Sequence, residues 1–370
     1  MKRVLIVNPF GLGDCLFLSP VFRALKEQGK VEKTVLLVGS RTEELFKHHP
    51  FVDEVIPIDR DWLRSQNPWK KFQHLRELTG RLKREKFDAL IDVSMSREYA
   101  FLAQFFLGIP KRVGFDYHRR GIFLTDRLAI PEGYRWKHVM EYYRDLLGPL
   151  GIEPKTRKPE IFLSAHEIRE AAELLAGRGV KSSEPFAVLV PGGGESWGRD
   201  ARFKRWPAEH FAGLIRKLEK ELPSRHVVIL GSLGERPLGE TLTANLPGFE
   251  VVNWMGERTL RESLSVLSLA ACVFTNDGGL CHAARALERP TAAIFGPVDP
   301  GVYGPYPVSE NNIVMHRKDL PCQPCYRSFR YNSGCQTIEC LNEFSPEQAA
   351  QKIMESGWLA QINSAVQKGN

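Results

Sequence analysis

The chain has 370 residues, of which 43% are hydrophobic and 26% charged, with a net charge of +7. That length predicts two domains, each able to bury its own core. No run approaches the ~18 consecutive apolar residues of a membrane-spanning helix, and seven cysteines are too few for a disulfide scaffold. The charge is uneven: residues 1–165 hold 29 Lys/Arg against 21 Asp/Glu, and the remainder holds 22 against 23. The first part faces something anionic (nucleic acid, phospholipid head groups and a phosphorylated acceptor all fit) or carries ordinary solvated charge.

The first apolar run, Val4–Val7, is too short for a secretory signal and reads as a strand, which predicts a cytoplasmic protein. Further strands are predicted at Thr34–Val38, Glu54–Pro57 and Ala89–Asp92, with helices at Cys15–Glu27, Thr42–Lys47 and Trp69–Glu85. Tyr117–Lys158 is rich in Arg, Gly and Pro and breaks this alternation. After a helix near Ala165–Gly177 it resumes, with strands at Phe186–Val190, Val227–Leu230, Val251–Val252, Cys272–Thr275 and Thr291–Phe295. Strands alternating with helices predict α/β architecture with parallel sheets, here two Rossmann-like domains in series. The expected divisions are 1–165, 166–344 and a C-terminal segment 345–370. That last segment opens with Ser345-Pro346-Glu347, an N-cap followed by Pro. It is expected to be one helix, Ser345–Ala365, packing back toward the N-terminal domain.

Three motifs carry the chemistry. Asn8-Pro9-Phe10-Gly11-Leu12-Gly13-Asp14 follows the first strand and opens a helix. It lacks the third glycine of a dinucleotide fingerprint, and its carboxylate would repel a pyrophosphate. From spacing alone Asp14 is equally a helix N-cap or a catalytic base at the carboxyl end of a strand. Pro191-Gly192-Gly193-Gly194 offers backbone N–H groups to phosphate oxygens, and Lys204-Arg205-Trp206-Pro207 sets a lysine just ahead of a helix start. The alternative is a flexible loop with a solvated basic pair. Asn276-Asp277-Gly278-Gly279-Leu280-Cys281-His282 repeats the strand–glycine–helix pattern. Its helix N-terminus suits a diphosphate, while His282 taken alone reads as a core histidine.

As a set, these motifs, together with Phe295-Gly296-Pro297-Val298-Asp299-Pro300, resemble glycosyltransferase family 9. These are the ADP-heptose:lipopolysaccharide heptosyltransferases and their relatives. The resemblance runs from residue 1 to about 350. It implies a GT-B fold, two Rossmann-like domains facing a central cleft, with acceptor on the N-terminal and nucleotide sugar on the C-terminal domain. By the family pattern Asp14 is the base and Lys204 a donor-phosphate contact. Glu235 lies near the ribose, and Arg258 and Thr259 by the adenine. Asp277, Gly278, Gly279 and His282, with Gly192 and Gly193, lie at the donor sugar and diphosphate. Gly13, Arg119 and Arg120 are expected at the acceptor. Gly278 departs from the family, which often has Thr there. The implied reaction is inverting transfer, most simply of heptose from ADP-heptose to a lipopolysaccharide core, with an oxocarbenium-like transition state and no catalytic cofactor. The implied partners are a nucleotide diphosphate sugar and an anionic glycolipid, not nucleic acid. The alternatives are another nucleotide sugar, a protein or glycan acceptor, or a nucleotide-sugar-binding module without turnover.

Two features stand outside that pattern. Cys322, Cys325, Cys335 and Cys340 are either a four-thiolate structural zinc or iron site or reduced cysteines in a packed loop. Trp69–Glu85 sets Lys70, Lys71, Arg76, Arg81, Lys83 and Arg84 beside Phe72, Leu75, Leu78 and Leu82. Such a helix rests on the cytoplasmic face of an anionic inner membrane or, the commoner arrangement, faces the core with a solvated outer side.

Overall fold

In the computed structural model, which describes residues 1–181, 183–332 and 334–369, the chain forms two compact units, Met1–Phe162 and Leu163–Asn370. Each is built on a six-stranded, all-parallel sheet.

The first unit starts from β-branched runs that are buried on both faces, the signature of parallel strands covered by helices. In chain order they are β1 (Arg3–Asn8), α1 (Leu12–Phe17), α2 (Ser19–Glu27), β2 (Lys33–Gly39), β3 (Glu54–Ile58), α3 (Arg60–Ser65), α4 (Pro68–Glu85), β4 (Ala89–Asp92), α5 (Arg97–Phe105), β5 (Lys111–Asp116), β6 (Asp126–Ala129) and α6 (Val139–Asp145). The strand order is β3-β2-β1-β4-β5-β6. Leu5, Val7, Val35, Leu37, Ile56, Ile58 and Leu90 project to one face, where Leu82 of α4 and Ala103 of α5 complete a cluster. The alternate residues, Val4, Ile6, Leu36, Val38 and Ile91, are buried on the other face.

The second unit contains α7 (Ala165–Ala176), β7 (Ala187–Val190), α8 (Ala208–Lys217), β8 (His226–Ile229), α9 (Arg236–Ala244), β9 (Glu250–Asn253), α10 (Leu260–Leu269), β10 (Cys272–Asn276), α11 (Gly279–Ala286), β11 (Thr291–Ile294), α12 (Pro300–Tyr303), β12 (Asn312–Met315), α13 (Glu339–Asn342), α14 (Pro346–Glu355) and α15 (Trp358–Gly369). Its order, β12-β11-β10-β7-β8-β9, is the same pattern over again. Each sheet therefore reverses direction once, between β1 and β4 and between β7 and β10. Open α/β sheets bind ligands at such points, outside the carboxyl ends of the strands.

Several expected elements differ. The helix read as Cys15–Glu27 is two, α1 and α2, because Pro20 has no N–H to continue the first ladder. Thr42–Lys47 is a 3-10 turn, Ser40–Phe46. The stretch Tyr117–Lys158 holds β6 and α6, and β6 lacks an apolar signal because it is a half-exposed edge strand. The C-terminal helix is also two, separated at Gly357, which has φ +67°. Both belong to the second unit: α14 lies on α8, where Gly213 admits Pro346, and buried Trp358 at the start of α15 reaches Phe274 of β10. Asn370, the last residue of the expected segment, lies outside the described residues. No described helix is long and apolar enough to cross a membrane.

Candidate active site

In the N-terminal unit, β1 ends at Asn8 and the chain turns into α1 through Gly11, the N-cap of that helix. Asp14 is thus the third residue of α1, and the helix has no side-chain cap. The N-cap reading of Asp14 is corrected by this one-turn offset. Its carboxylate instead accepts a hydrogen bond from the Tyr143 hydroxyl at 2.9 Å. Asn8 Nδ2 donates to the Asp14 carbonyl at 3.2 Å, fixing the backbone beneath it. Tyr143 is buried in α6 among Phe115, Tyr134 and Tyr142. Burial, followed by the charge of Asp14, pushes its phenol well above 10, so it stays a proton donor. Across the switch point, at the end of β4, burial pushes Asp92 up to about 6, and its Oδ1 accepts from the Ser94 N–H at 2.8 Å.

Gly13 is in the first turn of α1. Arg119 and Arg120 are exposed on the loop after β5, at the same carboxyl edge as Asp14. His118 and Arg119 both take left-handed backbone conformations, φ 49° and 59°, which are uncommon outside glycine. Arg120 reaches the Met95 carbonyl at 3.5 Å, and Arg97 at the start of α5 reaches the Arg119 carbonyl at 3.5 Å. Arg97 and Tyr143 are the residues that the sequence reading missed here. Neither lies in a motif, and only the sheet order brings them to this edge.

In the C-terminal unit the glycine run after β7, the Lys204–Pro207 segment and the glycine pair after β10 meet. Asn276 joins them: its Oδ1 accepts from the Trp206 N–H at 3.2 Å and its Nδ2 donates to the Pro191 carbonyl at 2.6 Å. Trp206 is itself fully buried and anchored by its Nε1 on the Phe344 carbonyl at 2.7 Å. Lys204 and Asp277, expected separately, form an ion pair with Nζ 2.8 Å from Oδ2 and both side chains nearly buried. Gly193 lies against Lys204, where a Cβ would come within 2.7 Å of the lysine Cβ, and Gly278 lies against Gly193. Gly279 opens α11, and His282 is buried in its second turn.

Glu235 is buried and fully engaged. One oxygen accepts from the Gly194 N–H at 2.9 Å and from Arg205 at 3.2 Å; the other accepts from the Ser232 N–H and hydroxyl at 3.2 and 2.8 Å. A Cβ at Gly192 would collide with that carboxylate at 2.2 Å, so glycine is required there. Glu235 holds the shape of the glycine loop. Thr259 caps α10 through a capping box with Glu262, and Arg258 stacks over the buried Trp254 at 5.0 Å. These residues follow β8 and β9, on the same edge as Lys204 and Asp277.

The structure gives the metal reading of the cysteines no support. Among the described residues no group of three or more His, Cys, Asp or Glu side chains is placed to hold a metal ion. Cys322 is exposed, Cys325 and Cys335 are half-buried and Cys340 is buried, all as free thiols. What the loop does bring is aromatic packing. Tyr331 stacks on Phe203, beside Lys204, at 5.0 Å, with Tyr326 behind it at 4.8 Å. Its phenol is raised by burial and then by Asp277.

The model of glycosyltransferase family 9 (heptosyltransferase) matches residues 75–331, more than half of the chain. The chain belongs to that family. Lipopolysaccharide heptosyltransferase 2 of Salmonella typhimurium is 25% identical over 308 residues, covering 80% of this chain and 84% of the relative. Among solved structures, Escherichia coli ADP-heptose lps heptosyltransferase II superposes with a TM-score of 0.72 at 22% identity, covering 98% of this chain and 99% of the other. Escherichia coli heptosyltransferase WaaC with ADP gives 0.69 at 23% identity, over 96% and 100% of the two chains. The fold is GT-B, and this family 9 member is a glycosyltransferase.

Proposed function

We propose that the chain transfers heptose, with inversion, from ADP-heptose to a hydroxyl of an anionic lipopolysaccharide-core glycolipid on the cytoplasmic side of the inner membrane. The observation that carries this reading is Asp14, a carboxylate at the switch point of the N-terminal sheet, held by the hydroxyl of a buried tyrosine. The family membership and the named substrates of its relatives support the donor and acceptor.

In the step itself the acceptor oxygen forms a bond to the anomeric carbon while the bond to the diphosphate oxygen breaks. Asp14 takes the proton of the attacking hydroxyl. Arg97, Arg119 and Arg120 at the same edge hold acceptor anions. Lys204 and the N–H groups of Gly192, Gly193 and α11 stabilise the charge that grows on the leaving diphosphate. Asp277 fixes the position of the Lys204 ammonium. Arg258 over Trp254 offers a flat, cationic surface for the base of the nucleotide.

The test is acceptor-dependent nucleotide release from a panel of ADP-, UDP- and GDP-sugars, with and without a lipid A–Kdo acceptor. ADP release confined to ADP-heptose plus acceptor is expected. Lys204→Ala should cut turnover and donor affinity together, since a charged contact to phosphate contributes about 1.5–3 kcal/mol. Release from a different sugar, or none with any pair, overturns the reading.

A further inference from the structure

Helix α4 is longer than the sheet it covers. Its 18 residues span ~27 Å at 1.5 Å per residue, whereas strands of four to seven residues span ~13–23 Å. Its C-terminal end is fixed at the amino edge of the sheet, where Arg81 pairs with Glu54 at 2.8 Å and Glu85 pairs with Lys33 at 2.8 Å and Arg3 at 3.0 Å. Leu82 and Leu78 seat that half on the core. The first two turns extend toward the opposite edge, the one that carries Asp14, and contribute no described residue to that cluster. There the apolar stripe continues into water: Trp69 is 65%, Phe72 55% and Leu75 49% exposed, and Trp62 of α3 is 42% exposed beside them. Trp69 stacks on Phe72 at 5.9 Å, and Trp62 packs on His74 at 5.3 Å. Lys70, Lys71 and Arg76 flank the stripe. Exposed aromatics are ordinary singly and informative as a contiguous set.

We infer that this N-terminal end of α4, with Trp62, docks on an anionic lipid bilayer. Aromatic side chains ringed by cations are what an interfacial helix presents: the rings enter the head-group boundary and the lysines meet lipid phosphates. A protein partner or a second copy of this chain would have to bury those cations, and the basic balance of the N-terminal unit disfavours self-association through this face. The position adds a reason. The face lies at the carboxyl edge of the sheet, so docking brings Asp14 and the Arg119–Arg120 loop toward the surface from which a lipid-borne acceptor would project. The inference deepens the glycolipid reading and rests on it for its purpose.

The test is co-sedimentation of the full-length protein with phosphatidylcholine vesicles and with vesicles containing about one third phosphatidylglycerol, at about 0.1 M salt. Binding to the anionic vesicles alone is expected. Trp69→Ser with Phe72→Ser, and separately Lys70→Glu with Lys71→Glu, should each lower the partition coefficient by about tenfold or more with an unchanged Tm. Transfer to a water-soluble acceptor fragment should stay at the wild-type rate in both variants, so a failed transferase reading and a failed docking face give different results. Wild-type protein that ignores anionic vesicles, variants that bind like wild type, or a dimer that the same substitutions abolish would each overturn the inference.

Discussion

Asp14 and Tyr143 stand 129 positions apart and are joined by one hydrogen bond. An acid in the first turn of a helix gains about 0.3–1 kcal/mol from the dipole whatever its function, so stability alone does not explain why this carboxylate is also given a buried phenol. Asp14→Asn keeps the size and most of the local polarity but cannot accept a proton. It should fold like wild type, bind donor normally and lose about 10²–10⁴ of the turnover. Tyr143→Phe leaves the carboxylate and removes the donor that favours its ionised form. Its expected effect is smaller, about tenfold in kcat, and carries a signature that simple destabilisation does not: the acid limb of the pH–rate profile moves to higher pH. Wild-type transfer by Asp14→Asn would show that another group is the base.

At the scale of elements, helix ends do much of the positioning in the second unit. Ser164 and Glu167 form a capping box at the start of α7, and Glu167 also takes a bidentate contact from buried Arg261 of α10 at 2.8 and 2.7 Å. The guanidinium, with the cap bonds added, pulls Glu167 down to about 2. A lowered carboxylate contributes stability that is complete above its unfolded value and is lost as pH falls through the folded one. Over that interval the contribution is about 3 kcal/mol at most. Glu167→Gln preserves the box, because Gln serves at that position, and removes the charge. Urea unfolding should give a stability gap to wild type that is largest near neutral pH and smaller by about 1 kcal/mol or more at pH ~3.5. A gap that does not change with pH would mean the bond geometry matters and the ion pair does not. The same scale shows what a sequence discloses. The buried strands β1, β2, β4, β7 and β10 are apolar runs and were legible, and so were the three glycine motifs that follow strands. Edge strand β6 was not, because a half-exposed strand carries no continuous apolar signal; β5 and β12, each with only a short apolar stretch, were missed as well. The Lys204–Asp277 pair, the Asn276 clamp and the engagement of Glu235 were not legible either. The first two join residues 70 to 85 positions apart, and Glu235 reaches Arg205 and Gly194 30 and 41 positions away, spacings that have no period to read.

For the whole molecule, the uneven charge becomes a kinetic prediction. Residues 1–165 carry eight more Lys/Arg than Asp/Glu, and the rest of the chain is nearly balanced. Many of the first unit's cations are exposed, among them Arg119 and Arg120 on the loop after β5. A field of that kind attracts an anionic acceptor over a distance and is weakened once the Debye length falls below the spacing of the charges, about 10 Å at 0.1 M salt and about 3 Å at 1 M. The donor is also an anion, but the proposed contacts to its diphosphate are of another kind: Lys204 is nearly buried beside Asp277, and the remaining ones are backbone N–H groups. Buried contacts are screened far less than exposed ones. Raising salt from about 0.05 to 0.5 M should therefore raise KM for a water-soluble anionic acceptor several-fold, leave KM for the nucleotide sugar much less changed, and hardly alter kcat. Charge-reversal of Arg119 and Arg120 together should remove most of that salt dependence. An acceptor KM that ignores salt, or a donor KM that rises as steeply, would reassign the acceptor contacts away from the exposed arginines and leave the basic excess as surface charge.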